Sequence, residues 1–298
     1  MMNARELPTI DIAHATWPAE LRLRIEQRAN VGSRLVECSH SGPLRIQRPF
    51  YPEGPDCAHL YILHPPGGLV SGDDISIRVD VAENAAALLT TPGAGRIYRA
   101  RKSTLAERCK QTQRIHLTVE NNATTEWLPQ ATIVFDGADV VLDLNVNLSS
   151  DGAFLGWETV CLGRPAGQLP FERGYIEQRW RVMRDGVPLL NDRLSIHGDD
   201  HLRDATWGLQ QLPVYGTFLA VPRAQQPIPV SAIESLRALF AERQAEAEIA
   251  VTALRGLVIM RYLGDSTERA HELFEMSWQL LRPFINGRIA TRPRIWNT

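Results

Sequence analysis

The stretch Ile62 to Asp74, ILHPPGGLVSGDD, sets a histidine and two carboxylates around a run of prolines and glycines. Those residue types serve a phosphate cradle, a metal site or a rigid turn. A cradle needs consecutive backbone N–H groups at the mouth of a helix, and Pro65 and Pro66 remove two of them. The next segment of chain is not helical: Ile75, Ile77, Val79 and Val81 alternate with Ser76, Arg78 and Asp80, the period of a strand. The stretch therefore reads as a rigid turn between two strands, with Asp73 and Asp74 at its rim.

Other constellations carry less. Pro92-Gly93-Ala94-Gly95 opens a basic run of Arg96, Arg99, Arg101, Lys102, Arg108 and Lys110, in which Tyr98 is the only ring. Nucleic-acid readers interleave more rings for base stacking, so a solvated patch or a docking surface for an acidic partner is the better reading. His271-Glu272-Leu273-Phe274-Glu275 has a glutamate where a zincin helix needs its second histidine, and reads as a charged outer helix face. His197-Gly198-Asp199-Asp200-His201 offers two imidazoles and two carboxylates, which describes a loose metal site or an exposed turn. There is no G-x-S-x-G elbow and no G-x-x-x-x-G-K-[ST] loop, and only Lys102 and Lys110 among the 32 basic residues are lysines.

A chain of 298 residues buries a substantial core without staples. Cys38, Cys57, Cys109 and Cys161 stand far apart with no C-x-x-C pair, as reduced thiols of a cytosolic protein do. A net charge of -2 and a pI near 6.5 give no bulk attraction to nucleic acid or to an anionic membrane. Asn3, Glu6 and Asp11 interrupt any secretion signal and no stretch has the length of a membrane span, so the expectation is a soluble, cytoplasmic protein. Without recognisable catalytic machinery, a scaffold or binding protein is favoured over an enzyme.

The elements that must position these groups are mostly strands. Ile115, Leu117 and Val119 alternate with His116 and Thr118, and Val140, Leu142, Leu144, Val146 and Leu148 with Val141, Asp143, Asn145 and Asn147. The strands run into related turns, Ala82-Glu83-Asn84-Ala85, Glu120-Asn121-Asn122-Ala123 and Ser149-Ser150-Asp151-Gly152-Ala153, a weak repeat of strand-turn-strand units. Asp136-Gly137, Asp151-Gly152 and Asp185-Gly186 are hairpin-type signals, and Arg255-Gly256 sits between two further strand candidates. Pro18 to Arg28 suggests a short amphipathic helix. Ser231 with Glu234, and Asp265 with Glu268, have capping-box spacing ahead of two late helices, the second expected to end at Pro283. The expectation is a single, mainly β domain with a β-rich scaffold over about 44–221 and a helix-containing part over about 222–298.

Taken in order, the turn-forming blocks resemble a known family. Arg48-Pro49-Phe50-Tyr51-Pro52-Glu53-Gly54, His64-Pro65-Pro66-Gly67-Gly68 and Thr90-Thr91-Pro92-Gly93-Ala94 are followed by Glu126-Trp127-Leu128-Pro129-Gln130 and Phe135-Asp136-Gly137-Ala138. Phe154-Leu155-Gly156-Trp157-Glu158 leads to Leu162-Gly163-Arg164-Pro165, and Pro293-Arg294-Ile295-Trp296 closes the series. This order resembles the urease accessory protein UreD, also called UreH. Two positions depart from it: Ser71 stands where glycine is more usual, and Ala131 where glutamate is common.

The resemblance implies a β-helix-like stack of strands with a few helices toward the C-terminus. It implies a non-catalytic maturation factor that binds apo-urease and the helical protein UreF, which recruits the GTPase UreG. No tightly bound cofactor is expected; nickel passes transiently on its way to urease. A conduit must bind weakly at separate oxygen or imidazole groups, because a closed site traps the ion. Asp73, Asp74, Asp136 and Glu158 lie in or beside the matching blocks and are the expected path-lining groups, with His64 and Glu126 behind them. Ordinary turn or cap carboxylates are the competing account of each. The reading from another class is a metal-dependent hydrolase on a β scaffold using His197, Asp199 and His201.

Overall fold

In the computed structural model, which describes residues 16–101 and 110–297, the alternating segments are strands. In chain order they are β1 (Trp17–Arg28), β2 (Gly32–Ser41), β3 (Arg45–Ile46), β4 (Ala58–Leu63), β5 (Asp73–Val81), β6 (Ala86–Thr90), β7 (Gly95–Ile97), β8 (Gln111–Val119) and β9 (Thr124–Trp127). Then come β10 (Thr132–Val134), β11 (Asp139–Leu148), β12 (Ala153–Leu162), β13 (Tyr175–Arg184), β14 (Val187–His197) and β15 (Val214–Val221). Helix α1 (Val230–Glu242), the hairpin β16 (Ile249–Leu254) and β17 (Leu257–Gly264), and helix α2 (Thr267–Asn286) complete the order.

They form two sheets. The first has seven strands in the order β14-β13-β11-β8-β5-β1-β2; the second runs β16-β17-β15-β12-β9-β6-β4-β3, with β7 and β10 attached. From β5 to β12 the chain passes back and forth between them, and β5, β8 and β11 pair in parallel as do β6, β9 and β12. The repeated turns are the corners of this path. Ala85 donates to the Ala82 carbonyl at 3.0 Å, Ala123 to Glu120 at 3.1 Å and Gly152 to Ser149 at 2.9 Å, three equivalent turns set on one another. Antiparallel strands close both ends of the first sheet, β2 beside β1 and β14 beside β13.

Two cores lie on either side of the second sheet. Leu21, Leu23, Ile77, Val79, Leu117 and Val146 of the first sheet meet Leu60, Leu89, Phe154 and Leu219 of the second. On its other face Leu155, Trp157, Phe218 and Met260 meet Leu236 and Phe240 of α1 and Phe274, Trp278 and Leu281 of α2. A sheet covered on both faces has no solvated side, which is why every residue of β6, β9, β12 and β15 is buried. The first sheet keeps one wet face and so keeps its alternation.

Four local expectations are corrected. Pro18 to Arg28 is strand β1, not a helix: Leu21, Leu23 and Ile25 have period two, and pairing with β5 overrides the helix propensity of its leucines and arginines. Of the three Asp-Gly signals only Asp185-Gly186, with φ of 48° and 77°, makes a two-residue hairpin; the other two turn corners between sheets. Helix α1 starts after Pro229 with no side-chain cap, and α2 is capped by Ser266, which accepts from the Arg269 amide at 3.1 Å. Pro283 lies inside α2, which runs on to Asn286 and is closed by Gly287 at φ 71°. The Arg255-Gly256 hairpin is as expected.

Candidate functional site

The space between the sheets is apolar except at one end. There β12 turns Glu158 inward, β13 contributes Gln178 and Trp180, β9 contributes Trp127, and β15 contributes Tyr215. All three neighbours with side-chain N–H groups donate to the Glu158 carboxylate: Trp127 Nε1 at 3.3 Å, Gln178 Nε2 at 2.8 Å and Trp180 Nε1 at 3.0 Å. Burial pushes the Glu158 carboxyl above its ordinary range, and these donors pull it partly back.

Beside this carboxylate is a cavity of about 310 Å³, lined among others by His64, Gly68, Thr91, Gln113, Trp127 and Glu158. His64 reaches it from the turn after β4, the stretch ILHPPGG. Burial holds its imidazole below its ordinary value, and the Asp73 charge works the other way. Gly68 is required by close packing: a Cβ there would lie 2.6 Å from the Tyr98 ring. Arg96 stands at the rim.

A family model for the UreD urease accessory protein matches residues 18–297. Among curated relatives, the urease accessory protein UreD of Psychromonas ingrahamii is 39% identical, with 95% of this chain and 94% of that protein covered. UreD of Marinobacter nauticus is 42% identical with 95% and 93% covered, and UreD 1 of Psychrobacter cryohalolentis 41% identical with 100% and 98% covered. The chain belongs to the UreD family.

Seen as a UreD-family protein, the residues expected to line a path fall into three places. His64 and Glu158 share the cavity between the sheets. Asp73, Asp74 and Asp136 are at strand ends near the surface: Asp73 accepts from the Val70 amide at 2.7 Å, Asp74 pairs with Arg114, and Asp136 is held by Arg99 at 2.8 Å and Arg173 at 2.7 Å. Burial opposes the Asp136 charge, but bonds from Arg173 and from the Glu172 amide keep its carboxyl below the usual range. Glu126 points the other way, into the core beneath α2.

There it meets the largest buried ionic group of the described residues. Arg282 of α2 is fully buried and bridges two carboxylates, donating to Glu126 at 2.9 and 3.0 Å and to Glu53 at 2.7 and 2.9 Å. Glu53 also pairs with His59 Nε2 at 2.6 Å, and Trp278 Nε1 donates to Glu126 at 3.1 Å. Among the described residues, Glu53, Cys57 and His59 are the one group whose ligand atoms gather closely enough for a metal, within 4.8 Å of one another. The cation of that group is already Arg282, which bonds both Glu53 oxygens and lies 3.9 Å from Cys57 Sγ. The site does not fit a metal ion.

The remaining motifs have structural surroundings too. His271 is not on an outer charged face: its ring lies edge-on to Trp157 at 5.5 Å and Trp296 at 5.0 Å, and burial, aided by Arg292, lowers it to about 4. The His197 ring lies 4.7 Å from that of Tyr175, tilted by 43°, and shares a polar cavity with Asp199, while His201 opens a separate turn capped by Asp200. Their ligand atoms form no three-membered cluster among the described residues. Lys102 and Arg108 of the basic run lie outside the described residues, as does Cys109. Gln178, Trp180, Glu53 and Arg282 are functional-site neighbours that sequence reasoning does not single out. Gln178 interrupts an inward row that includes Ile176, Trp180 and Val182, and that interruption is the signal for it.

Proposed function

We propose that this chain is a non-catalytic urease maturation factor. It holds apo-urease together with UreF and the GTPase UreG, and supports GTP-dependent insertion of nickel into the urease active site. The observation that carries this reading is the continuous UreD match over residues 18–297. Nickel is cargo, and the cavity between the sheets is the path within this chain that its donors favour. His64 supplies an imidazole nitrogen and Glu158 a carboxylate oxygen. A lone carboxylate already accepting three N–H bonds is a weak ligand, which suits an ion that must leave again. The surface carboxylates Asp73, Asp74 and Asp136, tied to backbone or arginine, fit better as turn-fixing groups.

The test is urease-bound nickel in cells carrying the whole urease cluster, with this gene deleted and then restored. Abundant but nickel-poor, inactive urease in the deletion, repaired by the intact gene, is the expected result. Full nickel loading without the gene would overturn the reading.

A further inference from the structure

The first motif block is divided between two jobs. Glu53 turns inward to Arg282, while Phe50, Tyr51 and Pro52 face a surface groove of about 420 Å³. Tyr61 and Gln47, with Arg294 and Ile295 of the C-terminal segment, complete its lining. Within that lining Phe50 and Tyr61 stack at 4.9 Å with their planes 22° apart.

Three guanidinium groups surround it. Arg34 covers Tyr51 at 4.4 Å and donates to the carbonyls of Ser33 and Pro55; Arg48 covers Phe50 at 5.5 Å; Arg294 lines the groove itself. None of the three has a carboxylate within ion-pair distance among the described residues, whereas Glu53, the carboxylate of the same block, is consumed in the core. An aromatic and proline-lined groove takes an extended polyproline-type segment, whose rings fit between aromatic edges at little entropic cost. Arginines without a carboxylate at its rim call for carboxylates on that segment. Base stacking is disfavoured, because the rings of Phe50 and Tyr51 are already covered by Arg48, Tyr61 and Arg34.

We propose that this groove docks an extended, proline-containing acidic segment of a partner polypeptide. None of its residues lines the cavity between the sheets, so the inference stands apart from the nickel reading.

The experiment selects random 12-residue peptides displayed on phage against the full chain. The winners are then titrated as fluorescein-labelled peptides by anisotropy. The expected winners carry proline with two or more carboxylates, bind more weakly as salt rises, and lose about tenfold in affinity against R48E/R294E. The charge-retaining R48K/R294K keeps most of the binding, which separates a docking role from damage to the fold. Winners without carboxylates, equal binding to R48E/R294E, no winners at all, or displacement of the peptide by a single-stranded oligonucleotide would each overturn the proposal.

Discussion

At the scale of single residues, Arg282 is where the fold is most exposed to one substitution. It neutralises Glu53 and Glu126 at once, so Arg282→Met leaves Glu126 without a counter-charge and Glu53 with only its bond to His59. Breaking such a network from one side costs about 3–5 kcal/mol, to be read as a fall in the denaturant midpoint. Arg282→Lys should recover little, since an ammonium cannot reach both carboxylates with a planar fork. The pH dependence has a fixed sign. Burial pushes the Glu53 carboxyl up, but His59 and Arg282 outweigh it and bring it from an ordinary 4.5 to about 2. A carboxyl depressed on folding adds stability above its unfolded value, and that stability is lost as pH falls from about 4.5 toward 2. Denaturation midpoints measured across this window should therefore fall more steeply for the native chain than for Arg282→Met. Equal slopes would remove the network from the account. Half of this site is legible in the sequence: Arg282 interrupts the apolar stripe of Phe274, Trp278, Leu281 and Ile285, and a charge in a buried stripe needs a partner. The partners are not legible, because Glu53 and Glu126 lie 229 and 156 residues away and no spacing rule joins them.

At the scale of elements, helix α2 is seated by the absence of a side chain. A Cβ on Gly216 of β15 would stand 2.9 Å from the Phe274 ring, in a core where Phe218, Trp157 and Trp278 leave that ring little room to move. Gly216→Ala should cost about 1–3 kcal/mol and alter the near-ultraviolet circular dichroism of the tryptophans under α2. Unchanged aromatic signals would mean that α2 is held from its ends alone. The C-terminal segment is the second clamp: Trp296 packs on Trp157 and Trp278 and donates to Thr90 Oγ1 at 2.7 Å. Trp296→Ala should lower the melting temperature through a loss of about 2 kcal/mol, less than the ~3–5 of a fully buried tryptophan. Strands β5, β8 and β11 of the first sheet are readable from sequence because one face is wet; β12, buried on both faces, reads only as an apolar run. Strand β1 reads as a helix because Glu20, Leu21, Arg22 and Leu23 are helix formers by propensity, and pairing with β5 decides the matter.

At the scale of the whole molecule, the second sheet divides Glu126 from Glu158, two buried glutamates of the matching blocks. Glu158 faces the cavity between the sheets and Glu126 faces the helices, and their substitutions should separate transport from stability. In Glu158→Gln the amide oxygen can take the place of Oε2 and keep the bonds from Gln178 and Trp180, leaving only the longest of the three, from Trp127, without an acceptor. The chain should then fold with a loss of about 1 kcal/mol. Glu126→Gln removes a charge opposite Arg282 and should unfold at clearly lower temperature. In cells carrying the urease cluster, nickel per urease should fall several-fold for Glu158→Gln at normal levels of this protein. For Glu126→Gln it should fall only in step with the protein that remains. If Glu158→Gln loads urease fully, nickel does not travel between the sheets, since the cavity would then have lost its one buried carboxylate without effect.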